Sequence, residues 1–179
     1  MRISVVTALA VFAGVTTAQV NADAICQTLD TLTANVNGLI GQAQSLSILN
    51  APLALVGQGP LPVVVNGLAQ VVNNITTCLT QLQPQEIVGD AATSIVTSFG
   101  QFAQAQTTLL NTLASKAALC LNLPFILSPI TSLLGGLDGS VNALANNLVQ
   151  CLDDITGGAI TDDMGLLNGV LGDTLNRYS

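Results

Sequence analysis

Three stretches of this chain repeat apolar side chains four and three positions apart, and that spacing leaves little choice of secondary structure. Ile25, Leu29, Leu32, Val36, Leu39, Ala43 and Leu46 form the first series. Val64, Leu68, Val71, Ile75, Cys78 and Leu82 form the second. Val88, Ala92, Ile95, Phe99, Phe102, Gln106, Leu109 and Leu113 form the third, with Gln106 its one polar member. At 3.6 residues per turn each series becomes a single stripe along a helix. Alternation of period two is nowhere sustained. The expected fold class is all-α, a single up-and-down bundle of five to six amphipathic helices.

Proline and glycine set the expected boundaries. Asn50-Ala51-Pro52 and Gly57 to Pro62 make the first connection, since proline disfavours helix at itself and at the residue before it. Pro84 suits the first turn of the third helix, with Glu86 near its positive end. Asn122 to Pro124, together with Pro129, marks the next boundary. Gly135-Gly136-Leu137-Asp138-Gly139 is expected to reverse or kink the chain, Gly157-Gly158 to stop it, and Thr161-Asp162-Asp163 to cap a last helix reaching Leu175.

Charge is scarce: 7% of residues, against about 25% in an ordinary soluble protein. Between Asp30 and Glu86 lie 55 residues without one charged side chain. Residues 1–18 read as a secretory signal, with Arg2, an apolar run from Ile3 to Ala13 and small residues before Gln19; cleavage after residue 22 is the alternative. The helical domain is then 19–179. Its only cations are Lys116 and Arg177, against ten acidic residues, which leaves no footprint for nucleic acid or an anionic membrane. The mature chain is expected to have no transmembrane segment and no lipid anchor, and to be secreted, extracellular or associated with a cell wall.

Four cysteines in a secreted chain read as two disulfides. Up-and-down packing places Cys26 and Cys78 at one end of the bundle. A straight helix would carry Cys151 about 40 Å from Cys120, so their pairing requires the reversal at Gly135–Gly139. The expected pairs are therefore Cys26–Cys78 and Cys120–Cys151. Asn74-Ile75-Thr76 is a glycosylation sequon, so Asn74 should face solvent.

Catalysis is poorly provided for. The chain has no histidine, and its carboxylate pairs, Asp153-Asp154 and Asp162-Asp163, are adjacent residues that diverge by about 100° on a helix. No catalytic residue, metal ligand or cofactor is expected. What remains is an apolar interior beneath an uncharged surface, and burying hydroxyls and amides is far cheaper than burying ions. Leu61, Val64, Leu68, Phe99, Phe102, Phe125 and Ile126 are the candidates for contact with an apolar guest or surface. Two proline-broken apolar segments, Pro52 to Val65 and Leu119 to Leu137, are either exposed interaction patches or the buried starts of helices.

Thr28 to Asn37, Gly59 to Gly67 and Ala114-Ser115-Lys116-Ala117 resemble a secreted fungal family, the hydrophobic surface-binding protein A or cell-wall galactomannoprotein family. The resemblance covers roughly Ala24 to Leu175. The four cysteines and the low lysine content depart from that pattern. The resemblance implies adsorption to hydrophobic surfaces, a helical bundle holding fatty acids or other lipids, cell-wall association, and in some members recruitment of a secreted esterase or cutinase. A non-catalytic protein that binds hydrophobic surfaces or lipids is the leading expectation. A structural cell-wall glycoprotein or antigen, or an effector binding a host protein, is the alternative.

Overall fold

The computed structural model describes the backbone of residues 4–82, 86–120 and 124–178, and side chains from Ala22 onward except at 51, 55, 81, 83–85, 121–126 and 179. Five α-helices make the fold: α1 (Ser4–Gln44), α2 (Pro60–Gln81), α3 (Asp90–Cys120), α4 (Pro124–Cys151) and α5 (Asp154–Tyr178). A 3-10 helix, Ala51–Val56, lies in the link between α1 and α2. Among the described residues there is no strand, and no helix is long and apolar enough to cross a membrane. Helix α1 passes both candidate cleavage points without a break, and its described core contacts begin at Ala22.

The apolar stripes become the core. Every member of the first series is buried, and so is the second from Val64 to Cys78. The third is buried from Ala92 to Leu113, while Val88 precedes the helix and is exposed. Helix α4 adds Ile130, Leu134, Leu137, Val141, Leu144 and Leu148; α5 adds Ile160, Met164, Leu167 and Leu171. Each such aliphatic side chain contributes about 1.5–3 kcal/mol of transfer free energy when fully buried, which makes this cluster the main stabilising force.

Residue pairs fix the arrangement. Leu39 lies against Gly67, so α1 and α2 run antiparallel. Lys116 Nζ donates to the Leu46 carbonyl at 2.9 Å and Ser98 bonds Cys26, so α1 and α3 run the same way. Thr174 reaches Leu110 and Tyr178 reaches Leu113, so α3 and α5 are parallel too. Asn142 and Asn168 exchange hydrogen bonds at 3.0 and 3.3 Å across antiparallel α4 and α5. Helix α2 also packs on α4, closing a ring in the order α1, α2, α4, α5, α3. Each helix reverses the one before it, as an up-and-down chain requires. Yet α2 and α3 are not main neighbours; three helices point one way on one side and two point back on the other. The links α2–α3 and α4–α5 meet at one end, where the Ile87 N–H donates to the Cys151 carbonyl at 2.7 Å.

Several boundaries differ from expectation. Helix α4 contains Pro129, expected at a boundary, and continues through Gly135–Gly139, because Leu134, Leu137 and Val141 keep one face in the core. Gly157 and Gly158 lie inside α5, and Asp153 rather than Thr161 caps it. Its carboxylate accepts from the N–H groups of Ile155 and Thr156 at 3.1 and 2.9 Å, satisfying two donors that a helix start leaves open. Helix α3 begins at Asp90; Pro84 lies outside the described residues.

The two expected disulfides are not formed, since no two cysteines lie within bonding distance. The unbroken α4, 28 residues and about 42 Å long, carries Cys151 to the end of the bundle opposite Cys120. Cys26 and Cys78 do share an end, but Cys26 turns toward Ser98 of α3 rather than toward α2. Burial raises the thiol pKa of Cys26, Cys78 and Cys120 above the ordinary range.

Candidate functional site

The two ambiguous apolar segments resolve differently. In Leu119 to Leu137 the described part is the start of α4, with Ile130, Leu134 and Leu137 buried. The α1–α2 connection is exposed. Ile48 (76% exposed), Leu49 (91%), Leu53 and Val56 (68%) stand in solvent beside Val63 at the start of α2. Asn50 holds this turn, its amide donating to the Ser45 carbonyl at 2.7 Å and accepting from the Ser47 N–H at 2.8 Å. Gly57 and Gly59 adopt φ of 71° and 87°, values that side-chain-bearing residues rarely reach, and so deliver the chain into Pro60 at the head of α2.

Five of the candidate contact residues lie in the interior: Leu61, Val64 and Leu68 on α2, Phe99 and Phe102 on α3. The two rings pack tilted, centroids 6.2 Å apart. The side chains of Phe125 and Ile126 lie outside the described residues. Asn74 is half-buried on α2, where it lines a groove of about 450 Å³ between α1 and α2 with Gln27, Thr28, Thr31 and Thr77.

The helix surfaces carry hydroxyls that bond inward. Thr28, Thr31, Thr76, Thr97 and Thr108 each donate to the carbonyl four residues back at 2.8–3.0 Å. Such hydroxyls need less from water than charged groups do.

One residue sets the interior apart. Gln106 has no exposed surface, and neither Nε2 nor Oε1 has a hydrogen-bond partner among the described residues. Leaving a buried polar group unpaired costs about 1–3 kcal/mol, so it calls for an explanation. Thr174, also fully buried, is satisfied by the Val170 carbonyl at 2.7 Å. Tyr178 donates to the Leu113 carbonyl at 2.8 Å, and burial, then its contact with Cys120, pushes its pKa well up. Gln106 was visible in sequence as the polar member of an apolar stripe, although it was not among the candidate contact residues.

A groove of about 600 Å³ runs between α3 and α5, lined by Gly100, Ala103, Gln104, Thr107, Thr108, Asp163, Leu166 and Val170, and Gln106 does not line it. Ala103 lies one turn before Gln106 on the same helix. The carboxylates play local roles. Asp153 caps α5, and its pKa is lowered by the Thr156 hydrogen bonds; Asp163 is raised by burial over Gly100, with Asp162 adding to it. No cluster of three or more histidine, cysteine or carboxylate residues able to hold a metal occurs among the described residues.

Two solved structures share this fold. AfMp4p, in complex with palmitic acid, superposes with a TM-score of 0.67 over 88% of this chain and 99% of its own, at 15% sequence identity. Ligand-binding domain 1 of the Penicillium marneffei MP1 protein, complexed with arachidonic acids, gives 0.67 over 87% and 99%, at 11% identity. No protein-family model matches the chain, and no curated protein does.

Proposed function

We propose that this is a secreted, non-catalytic lipid-binding protein that takes a fatty acyl chain between its five helices. The observation that carries the reading is the shared fold: two proteins of this architecture, each almost wholly covered, were solved with fatty acids. This chain's own composition supports it. The ring encloses aliphatic residues with Phe99 and Phe102, and opening it exposes few charges to be desolvated. Secretion follows from the N-terminal signal, and cell-wall association and glycosylation at Asn74 from the family resemblance and the sequon. Recruitment of an esterase or cutinase rests on that resemblance alone.

Native mass spectrometry of the purified chain with palmitic acid tests the reading. One-to-one adducts that survive desolvation, with a raised melting temperature, are expected; unliganded protein at saturating lipid would contradict it. A second reading, adsorption to hydrophobic surfaces, draws on Ile48, Leu49, Val56 and Val63 in the α1–α2 connection. It expects loss from solution onto polystyrene that replacing these side chains with serine abolishes.

A further inference from the structure

We propose that Gln106 is the anchor for the polar end of the bound lipid, and that this end is uncharged. The inference rests on the interior-binding reading above and adds the head-group class. A primary amide offers two donors and a carbonyl acceptor. In Gln106 all of these are buried without a partner among the described residues, at the middle of the helix that packs on both α1 and α5. The matching head group both donates and accepts: a protonated carboxylic acid, a primary amide or an alcohol. An ionised head group lacks a counter-charge. Lys116 and Arg177 are the only cations after Arg2; Lys116 is held by the Leu46 carbonyl and Arg177 is exposed in the last turn of α5. Among the described residues the buried side chains with a polar nitrogen or oxygen are Gln106, Thr174 and Tyr178, and the Thr174 and Tyr178 hydroxyls are already bonded. An unpaired anion in such an interior is far costlier than a paired neutral group. Phe102, one turn before Gln106, and Leu109 and Leu110, one turn after it, supply apolar walls for the adjoining chain.

The test compares the full chain with its Gln106→Leu variant against four probes of equal tail length: dodecanamide, dodecanol, dodecane and dodecanesulfonate. The natural chain should bind the amide and the alcohol roughly tenfold or more tightly than the alkane, one well-made buried hydrogen-bonded contact being of that order, and the sulfonate no better than the alkane. Gln106→Leu should bring all four within about twofold, keep alkane binding, and raise the melting temperature, since it removes the unpaired amide. If the leucine variant does not fold, Gln106→Met must give the same levelling. Retention of the natural preference in either folded variant, or tight sulfonate binding by the natural chain, overturns the proposal. Alkane binding without head-group preference overturns this inference alone, whereas no binding of any probe overturns the lipid-binding reading with it.

Discussion

Two aspartates on α5 respond to pH in opposite senses. Asp153 accepts hydrogen bonds from Thr156 and Ile155, so its pKa falls on folding. Its cap stabilises above the unfolded value, near 3.9, and is lost as pH drops through the folded one. Asp163 is raised by burial and by Asp162, so the folded state holds its proton more tightly than the unfolded chain does. Stability is therefore lost as pH rises from the unfolded value through the raised folded one, and the penalty is complete at neutral pH. Asp163→Asn should raise the unfolding free energy from urea titration at pH 7 by about a few tenths of a kcal/mol after solvent screening, and leave it unchanged near pH 3, where the aspartate is protonated. An equal shift at both pH values would show that charge is not the cause.

At the scale of the element, glycine runs suggest helix ends, and here local propensity misleads. Gly135, Gly136 and Gly139 read as a reversal, yet α4 passes through them, and an added Cβ at each meets nothing within 4 Å. Gly136→Ala should therefore stabilise by about 0.5–1 kcal/mol, the ordinary helix gain, measured as a higher melting temperature. A reversal with positive φ would make alanine destabilising instead. Gly67 is the contrasting case, because a Cβ there would collide with a Leu39 methyl carbon across the α1–α2 contact. The stripes themselves were legible because a period of four and three has one geometric reading, and nearly all their members are buried. The course of α4 was not, since it depends on Leu134, Leu137 and Val141 finding partners on other helices. The Cys120–Cys151 pair failed with it, since it needed a turn that tertiary packing removes.

Over the whole molecule, chain order and spatial order part company. Consecutive helices reverse, but the ring brings α1, α3 and α5 side by side and sends α2 against α4. Periodicity gives each helix an inward face and says nothing of its neighbours, so Phe99, Phe102 and Leu68 were legible as apolar while their placement around one interior was not. Among the described residues, that interior and the exposed α1–α2 connection are the regions that the two proposed readings assign to lipid or surface contact. Isotope-filtered nuclear Overhauser spectroscopy with carbon-13-labelled palmitic acid on the full chain separates them. Contacts from the acyl chain to the buried rings of Phe99 and Phe102 are the predicted result. Contacts confined to Ile48, Leu49 and Val56, or none at all, would contradict an interior lipid site.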